Sequence, residues 1–455
     1  MRAWILLLVV VAACGGGSSA EPAPANESEP APEPPASLPQ ATQPDVEAEI
    51  IGKPGDPVPG LDASYVTTLL GWLAPDGDVI FEAVILWNRD KTLGCGILRR
   101  AADGEVNTLL MQGQLLPDTG GGRVKHPKLP LEARGDTLVM AAEVEGGDIE
   151  HGLFAVPRTG GTPRLLAEGV FRRARVGEDG DVIAEAATPN GTQVWRIPTD
   201  GPAEVLCDRC DDGISSDGTT VVFERDDAAY RIDADGATTR LIGRDDPVAG
   251  TLGVVTLVLA AELNDADAVV VHVATSDAAC PEAIFRFDEN GVEVVARCGE
   301  PIGSAPGTAE SLRLAAGRSR DVVFAARLSG PGAPASAVYC ARPGEPALPV
   351  VQSTQRVRVL EEHVVADRDR IAYGVQLYED GLPVAEGVFR TGTGAPERVV
   401  STDADVPAAG ARLRSFPYPL RHGVDVDGDG RLLVPAGLVE ARRPSATLGT
   451  LLLVR

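Results

Sequence analysis

The sequence is poor in the residues that build large aromatic cores and many active sites. Aromatic residues make up 4% of the 455-residue chain, with 3 methionines and 5 histidines. After the first 14 residues no segment keeps apolar residues at the i, i+3, i+4, i+7 spacing over three turns, which argues against amphipathic helices. The histidines show no paired metal spacing, and neither a G-x-S-x-G elbow nor a phosphate-binding loop occurs. We therefore expect an all-β fold with a core of Val, Leu, Ile and Ala, and no cofactor.

Positive charge is also scarce. The chain has 66 acidic and 41 basic residues and a formal net charge of -25. Such a surface repels phosphate, which disfavours a nucleic-acid partner and adsorption to anionic lipid. The excess of acidic residues keeps the protein soluble or, alternatively, attracts a cationic or divalent-metal partner. We expect a monomer that binds no nucleic acid.

The first 14 residues read MRAWILLLVVVAAC. The apolar run is too short to span a membrane as a helix, since about 20 residues are needed, and fits the core of a signal peptide. Small residues lead directly into Cys14, and a Gly-Gly-Gly-Ser-Ser run follows it. This resembles the lipobox of bacterial lipoproteins and predicts a signal peptide at 1–13 with lipidation of Cys14. The alternative is an ordinary secretory leader with a chance cysteine.

A segment rich in Gly, Ser, Ala, Pro and Glu follows. Residues 15–45 contain no Lys or Arg, and their apolar surface is too small to fold. At ~3.1 Å per residue in polyproline geometry, about 30 residues reach up to ~90 Å. We predict a disordered tether at 14–45 that holds the folded domain off a membrane. Because Gly15 is not the Asp that retains many lipoproteins at the inner membrane, the resemblance implies an outer-membrane anchor in a bacterial cell envelope.

From residue 46 to 455 the chain repeats one unit. An Asp-Gly turn precedes an apolar run, and a hairpin follows it, as in APDGDVIFEAVILW from Ala74. The matching apolar runs begin at Val79, Leu138, Val182, Val221, Val269, Val322, Ile371 and Leu432. Four-stranded units every 40 to 50 residues are the signature of β-propeller blades. We predict eight blades, or seven if the short unit at 210–246 merges with a neighbour.

The last unit lacks a fourth strand. It ends with LGTLLLVR, whereas the strand-like run VEAEIIG at Val46–Gly52 precedes the first unit. The economical interpretation is that the N-terminal strand completes the last blade and closes the ring, which removes exposed strand edges.

The units also contain short loops such as Gly-Asp-Pro-Val-Pro-Gly at 55–60, with degenerate copies at 113–117, 246–250 and 299–303. These loops, the Asp-Gly turns and the apolar strands resemble bacterial, myxobacteria-like tandem-repeat lipoproteins over about residues 46–455. The resemblance implies an envelope propeller and names no reaction.

Six cysteines besides Cys14 raise the question of disulfides in an oxidising compartment. Cys280 and Cys298 flank one hairpin and are predicted to pair. Cys207 and Cys210 form a C-x-x-C that lacks both a helix start and a second C-x-x-C, which favours a local disulfide over redox or zinc chemistry. Cys95 and Cys340 lie in distant units.

Asp425, Asp427 and Asp429 are spaced like the start of a calcium loop, but Ala436 stands where the bidentate Glu is needed. Turn chemistry explains these carboxylates better, since Asp and Gly favour such turns. We therefore predict no metal site and keep this triplet as a weak calcium candidate.

The predicted first strands carry arginines in an otherwise acidic chain: Arg173, Arg175, Arg313, Arg358 and Arg414. Alternate residues of a strand share a face, so some of these side chains would point into the central channel together. The hypothesis is a cationic channel mouth that binds an anionic ligand. The alternative is that each arginine pairs with a neighbouring carboxylate.

Three functions remain open on this basis. The favoured one is a lipid-anchored, non-enzymatic propeller that binds a protein or glycan of the envelope. The others are an extracytoplasmic propeller enzyme acting on polysaccharide and a structural spacer. No catalytic residue is nominated.

Overall fold

The computed structural model describes residues 48–455 apart from 75, 178, 200, 212–213, 265–266, 304–305, 356, 369, 380, 392–396, 403–404, 407–410, 416–424, 427–430, 441–446 and 455. Residues Asp45–Arg455 form one compact unit. Every regular element within the described residues is a β-strand. The same residues contain no helix that is long and apolar enough to cross a membrane.

The strands form eight sheets arranged as the blades of a ring. The first four blades follow one another along the chain. Blade 1 contains β2 (Ala63–Leu73), β3 (Val79–Trp87), β4 (Leu93–Arg100) and β5 (Val106–Met111). Blade 2 contains β6 (Arg123–Arg134), β7 (Thr137–Glu145), β8 (His151–Pro157) and β9 (Arg164–Glu168). Blade 3 contains β10 (Val170–Val176), β11 (Val182–Thr188), β12 (Gly191–Ile197) and β13 (Glu204–Cys210). Blade 4 contains β14 (Ile214–Ser216), β15 (Val221–Arg225), β16 (Ala228–Ile232) and β17 (Thr238–Gly243).

The remaining blades keep this order and add short strands. Blade 5 contains β18 (Val255–Leu263), β19 (Val269–Thr275), β20 (Glu282–Asp288) and β21 (Gly291–Arg297). Blade 6 contains β22 (Thr308–Leu314), β24 (Val322–Ser329), β25 (Ser336–Ala341) and β26 (Leu348–Gln352). Blade 7 contains β27 (Val357–Arg368), β28 (Arg370–Glu379), β29 (Leu382–Thr391) and β30 (Glu397–Ser401), with β23 (Ala316–Ser319) added in parallel to β27. Blade 8 contains β32 (Ala411–Ser415), β34 (Leu432–Glu440), β35 (Thr447–Val454) and β1 (Ala48–Ile51), with β31 (Asp405–Val406) and β33 (Asp425–Val426) beside it.

The predicted ring closure is confirmed. Strand β1 pairs antiparallel with β35, so that Ala48 lies opposite Val454 and Ile51 opposite Leu451. The alternative of seven blades is wrong, because the segment 214–243 forms a separate four-stranded blade.

The turns between first and second strands, and between third and fourth strands, share one geometry in blade 1. In the first turn the Gly77 N–H donates to the Ala74 carbonyl, and in the second the Gly104 N–H donates to the Ala101 carbonyl. Both glycines have positive φ, at 92° and 97°. Glycine adopts this conformation without a steric penalty, which explains the recurring Asp-Gly pairs.

Both faces of each second strand are buried. In β3, Phe81 packs with Leu433 and Leu451 of blade 8, whereas Ile80 packs with Leu138 of blade 2. A strand covered on both sides needs an unbroken apolar run rather than an alternating one. This is why VIF, VVF and VVV recur in the sequence.

The first strands lie at the centre of the ring. Strand β6 contacts β10, β14 contacts β18, and β2 contacts β6, so first strands of neighbouring blades converge. We call the end of the ring where first strands begin and second strands end its upper end.

Candidate functional site

The first strands are irregular where they face the middle of the second strands. Every first strand except β14 contains a register shift or bulge, for example between Phe171 and Arg173 in β10 and between Ala309 and Ser311 in β22. Bulges redirect side chains and are common next to binding and active sites. Basic residues also outnumber acidic ones on these strands, the reverse of the whole chain.

The strand register places three of the predicted arginines at similar positions along the axis of the ring. Arg173 lies opposite Glu185 and Arg313 opposite Ala325, and both partners are the fourth residues of their second strands. Arg358 lies opposite Gln376, about one pleat nearer the upper end. All three side chains are exposed.

The predicted arginines differ in their partners. Arg173 Nε lies 3.9 Å from Glu185 Oε2, and its Nη1 lies 3.5 Å from the Ile214 carbonyl oxygen. Arg175 is half-buried and donates to the Ala174 carbonyl. Within the described residues the side chains of Arg313 and Arg358 make no hydrogen bond or ion pair.

Two other predicted sites lie partly outside the described residues. Arg414 lies on β32, but its side chain is outside the described part of the chain. The same holds for Cys14, Asp427 and Asp429, and for the side chain of Asp425. Among the described residues no group of three or more His, Cys, Asp and Glu side chains could hold a metal ion.

The structure also places ionisable side chains that we did not predict at the same position of several second strands. The fourth residue of the second strand is Glu82 in blade 1, Glu185 in blade 3, Glu224 in blade 4 and His272 in blade 5. The aligned motifs VIFE, VIAE, VVFE and VVVH already contain this column. The sequence signal was therefore available, but apolar flanks gave no reason to treat the column as a site.

Two members of this column, Glu185 and Glu224, are distinguished by their surroundings. Glu185 is 2% exposed, and its Oε2 makes no hydrogen bond within the described part of the chain. Burial, followed by the charge of Asp211, raises the pKa of Glu224 to about 7, although Arg173 opposes the shift. A carboxyl group that titrates near neutral pH beside an arginine can bind charge or transfer protons.

The cysteines only partly follow the prediction. Cys207 and Cys210 form a disulfide, whereas Cys280 and Cys298 are separate buried thiols. The predicted bridge between Cys280 and Cys298 is therefore wrong for this structure. A register shift between Ile284 and Phe285 places Cys298 opposite Glu282, whose carbonyl accepts the Cys298 N–H at 2.9 Å.

A cavity of about 350 Å³ lies between blades 2 and 3, and Arg164 is among its lining residues. The residues that line it include Thr137, Asp179 and Thr199, near the starts of the second strands and so at the lower end of the ring. None of the predicted site residues lines this cavity.

The chain matches no protein-family model and no curated protein. Solved structures that resemble it include the β-propeller domain of the Trilobed protease from Pyrococcus furiosus, with a TM-score of 0.41 and 10% identity over 75% of this chain and 98% of that one. Dipeptidyl peptidase 4 from Porphyromonas gingivalis has a TM-score of 0.46 and 10% identity, over 89% of this chain and 60% of that one. A prolyl endopeptidase has a TM-score of 0.45 and 13% identity, over 82% of this chain and 54% of that one. The chain thus spans only part of the two peptidases, and the likeness concerns the propeller fold alone.

Proposed function

We propose that the chain is a lipid-anchored propeller of the bacterial cell envelope that binds a glycan or protein carrying clustered negative charge. The ligand would enter the upper end of the channel. The observation that carries the proposal is the exposure of Arg173, Arg313 and Arg358 on the first strands of three blades. In a chain with a net charge of -25, exposed arginines concentrated at the ring centre form a local attraction for anions.

The partners of the arginines also support binding. Arg313 and Arg358 have no carboxylate within reach among the described residues, so a ligand would not have to displace an internal ion pair there. Arg173 already faces Glu185 at 3.9 Å, which leaves its guanidinium able to bind a second anion. The anchor at Cys14, the tether at 14–45 and the outer-membrane location belong to the same proposal and rest on the sequence.

The test uses the Asp45–Arg455 unit and polygalacturonate as an acidic glycan. Changing Arg173, Arg313 and Arg358 together to Gln should weaken binding by about tenfold to 100-fold, since exposed ion pairs contribute up to ~1 kcal/mol each. Binding should also weaken with added salt because counter-ions screen exposed charges. Calorimetry or a sedimentation assay measures both effects.

The matched control changes Arg89, Arg164 and Arg209 to Gln, which removes the same charge from exposed turns and outer strands. Equal losses in both triple variants would show that net charge alone, and not the channel mouth, determines binding. If the wild type captures an envelope protein and the variant of Arg173, Arg313 and Arg358 binds that protein more weakly, the ligand is a protein instead.

Glu224 favours a second candidate, a propeller enzyme that acts on acidic polysaccharide. A carboxyl group with a pKa of about 7 can serve as a general acid or base, and Glu185 supplies a second carboxylate in the neighbouring blade. Shortening of the polygalacturonate chains during the binding assay would favour this enzyme, provided that Glu224→Gln abolishes it.

A further inference from the structure

One thiol in the structure lies against an imidazole. Cys95 Sγ is 3.4 Å from His126 Nδ1, within the range of a thiol hydrogen bond. Cys95 is the third residue of β4 in blade 1 and is partly exposed, and His126 lies on the first strand of blade 2 and is exposed. Both residues are near the upper ends of their strands. A thiol and a base within hydrogen-bond reach are the two groups that nucleophilic catalysis requires.

The thiol is held on a rigid support. The Cys95 N–H donates to Gln112 Oε1 at 3.2 Å, and the Gln112 N–H donates to the Cys95 carbonyl at 3.0 Å. The flanking glycines are closely packed: a Cβ at Gly94 would come within 2.8 Å of Trp87 Nε1, and a Cβ at Gly96 would collide with Met111. Position 95 is therefore set by a packed strand rather than by a loop, which favours preorganised chemistry.

The surrounding charges suit transfer of the thiol proton to the imidazole. Burial, and then the charge of Glu82, raises the pKa of Cys95 above its ordinary value, so that the resting group is a thiol. The same carboxylate on β3 interacts electrostatically with His126 and would stabilise an imidazolium. Lys125 precedes His126 on β6 and Glu143 lies opposite His126 on β7, and these two residues form an ion pair of 3.5 Å.

We propose that Cys95 is a nucleophile, that His126 is its general base, and that the pair accepts an acyl group from an activated ester or a thioester. Sγ attacks the carbonyl carbon while its proton passes to His126 Nδ1. The C–O or C–S bond of the substrate then breaks, and the leaving alcohol or thiol takes the proton from the imidazolium. The acyl group remains on Cys95 as a thioester until water or a second nucleophile removes it. This activity goes beyond the binding role proposed above and does not depend on it.

Cys340 is an internal reference for this proposal. It is a half-buried thiol on β25 whose Sγ donates to Asp321 Oδ2 at 3.4 Å. Burial, followed by the charge of Asp321, raises its pKa to about 12. A carboxylate is a weaker base than imidazole by about 2 to 3 pK units, so Cys340 has a hydrogen-bond partner but no effective base.

The test treats the full chain with p-nitrophenyl acetate, measures p-nitrophenolate release, and locates the acetyl group by peptide mapping. We expect Cys95 to be acetylated about 100-fold faster than Cys340, because a general base contributes at least that factor. In the wild type the rate at Cys95 should level off at a lower pH than the rate at Cys340, because a general base takes the proton from the un-ionised thiol. His126→Gln should lower the Cys95 rate about 100-fold and move its rise to the higher pH at which the thiol itself ionises.

His151→Gln, which removes an imidazole from the third strand of the same blade, is the matched control and should leave the rate and the pH profile unchanged. Circular dichroism of each variant verifies the fold. Equal rates at Cys95 and Cys340, or an unchanged pH profile in His126→Gln, would overturn the proposal.

Discussion

Blade 4 is built from the contiguous segment 214–243, whereas blade 8 joins strands from both ends of the chain. In blade 4 short turns set the pairing, and β14 and β15 have only 3 and 5 residues. In blade 8 the pairing of β1 with β35 depends on residues that meet only when the rest of the ring has formed. Strand pairing is therefore local in blade 4, whereas in blade 8 it depends on the whole ring.

The cost of the non-local pairing is modest. Ala48 and Val454 are about 400 residues apart, and a loop of that length costs only about 2 kcal/mol more to close than one of about 30 residues. Ile51 is 1% exposed, and its burial alone contributes about 2 to 3 kcal/mol. The apolar contacts of β1 therefore offset the extra entropy of closure.

Removing the closing strand should have the largest effect. Deletion of residues 46–52 removes β1 and leaves the edge of β35 and the apolar residues Leu451 and Leu453 uncovered. We expect a loss of at least about 5 kcal/mol, from Ile51 burial and about 1 kcal/mol per lost backbone hydrogen bond, together with a tendency to aggregate. Scanning calorimetry measures the change.

Deleting seven residues from the tether, 36–42, is the control and should not change the melting temperature. An unchanged melting temperature after deletion of 46–52 would show that blade 8 is stable without its fourth strand.

The ion pairs that link neighbouring strands and blades differ in their burial. Asp78 is 3% exposed, forms ion pairs with Arg99 and, at 2.9 Å, with Arg158 of blade 2, and so links blades 1 and 2. Asp78→Asn should destabilise the protein by about 3 kcal/mol, because it leaves the half-buried Arg99 without its carboxylate and Arg158 with only the exposed Asp76. At the closing blade Glu49, on β1, forms an ion pair with Arg100 but is 36% exposed. Glu49→Gln should cost no more than about 1 kcal/mol.

Urea denaturation of both variants checks this prediction. A larger loss for Glu49→Gln than for Asp78→Asn would mean that charge, and not apolar burial, holds the ring closed.

The third prediction concerns pH and blade 4. The pKa of Glu224 is about 7 in the folded protein and about 4.3 in the unfolded chain, so the folded state binds the proton more tightly. The resulting stability is complete below about pH 4.3 and is lost as the pH rises through about 7. Because Glu224 retains some exposure, we expect a loss of about 1 to 2 kcal/mol between pH 5 and pH 8.

Free energies of unfolding from urea titrations across that pH range measure this loss. Glu224→Gln should remove it, whereas Glu289→Gln, in an exposed turn, should not. If the wild type and Glu224→Gln depend on pH in the same way, another group is responsible.

The repeat architecture could be predicted from the sequence because its signals are local. Asp-Gly turns and doubly buried runs such as VIF at Val79 indicate strand ends and strand cores within a few residues. The second strands begin within one residue of the predicted positions in all eight blades. The unpaired strand at either end of the chain was sufficient to predict closure.

The prediction of a disulfide between Cys280 and Cys298 was wrong because it depended on the register of a hairpin. It assumed that Cys280 and Cys298 lie almost opposite each other, whereas the register, with its shift between Ile284 and Phe285, places Cys298 opposite Glu282. Bulges depend on twist and packing across the whole blade, so spacing along the chain does not reveal them.

The sequence by itself determined the class of fold and the strand that closes the ring and favoured eight blades over seven, because turn chemistry and apolar runs act over short distances. Only the tertiary structure decided which ionisable side chains meet. Cys95 and His126 lie 31 residues apart on different blades, and burial, followed by the charge of Asp211, raises the pKa of Glu224. Such pairs form where neighbouring blades pack, and no local pattern in either strand specifies its partner across that interface.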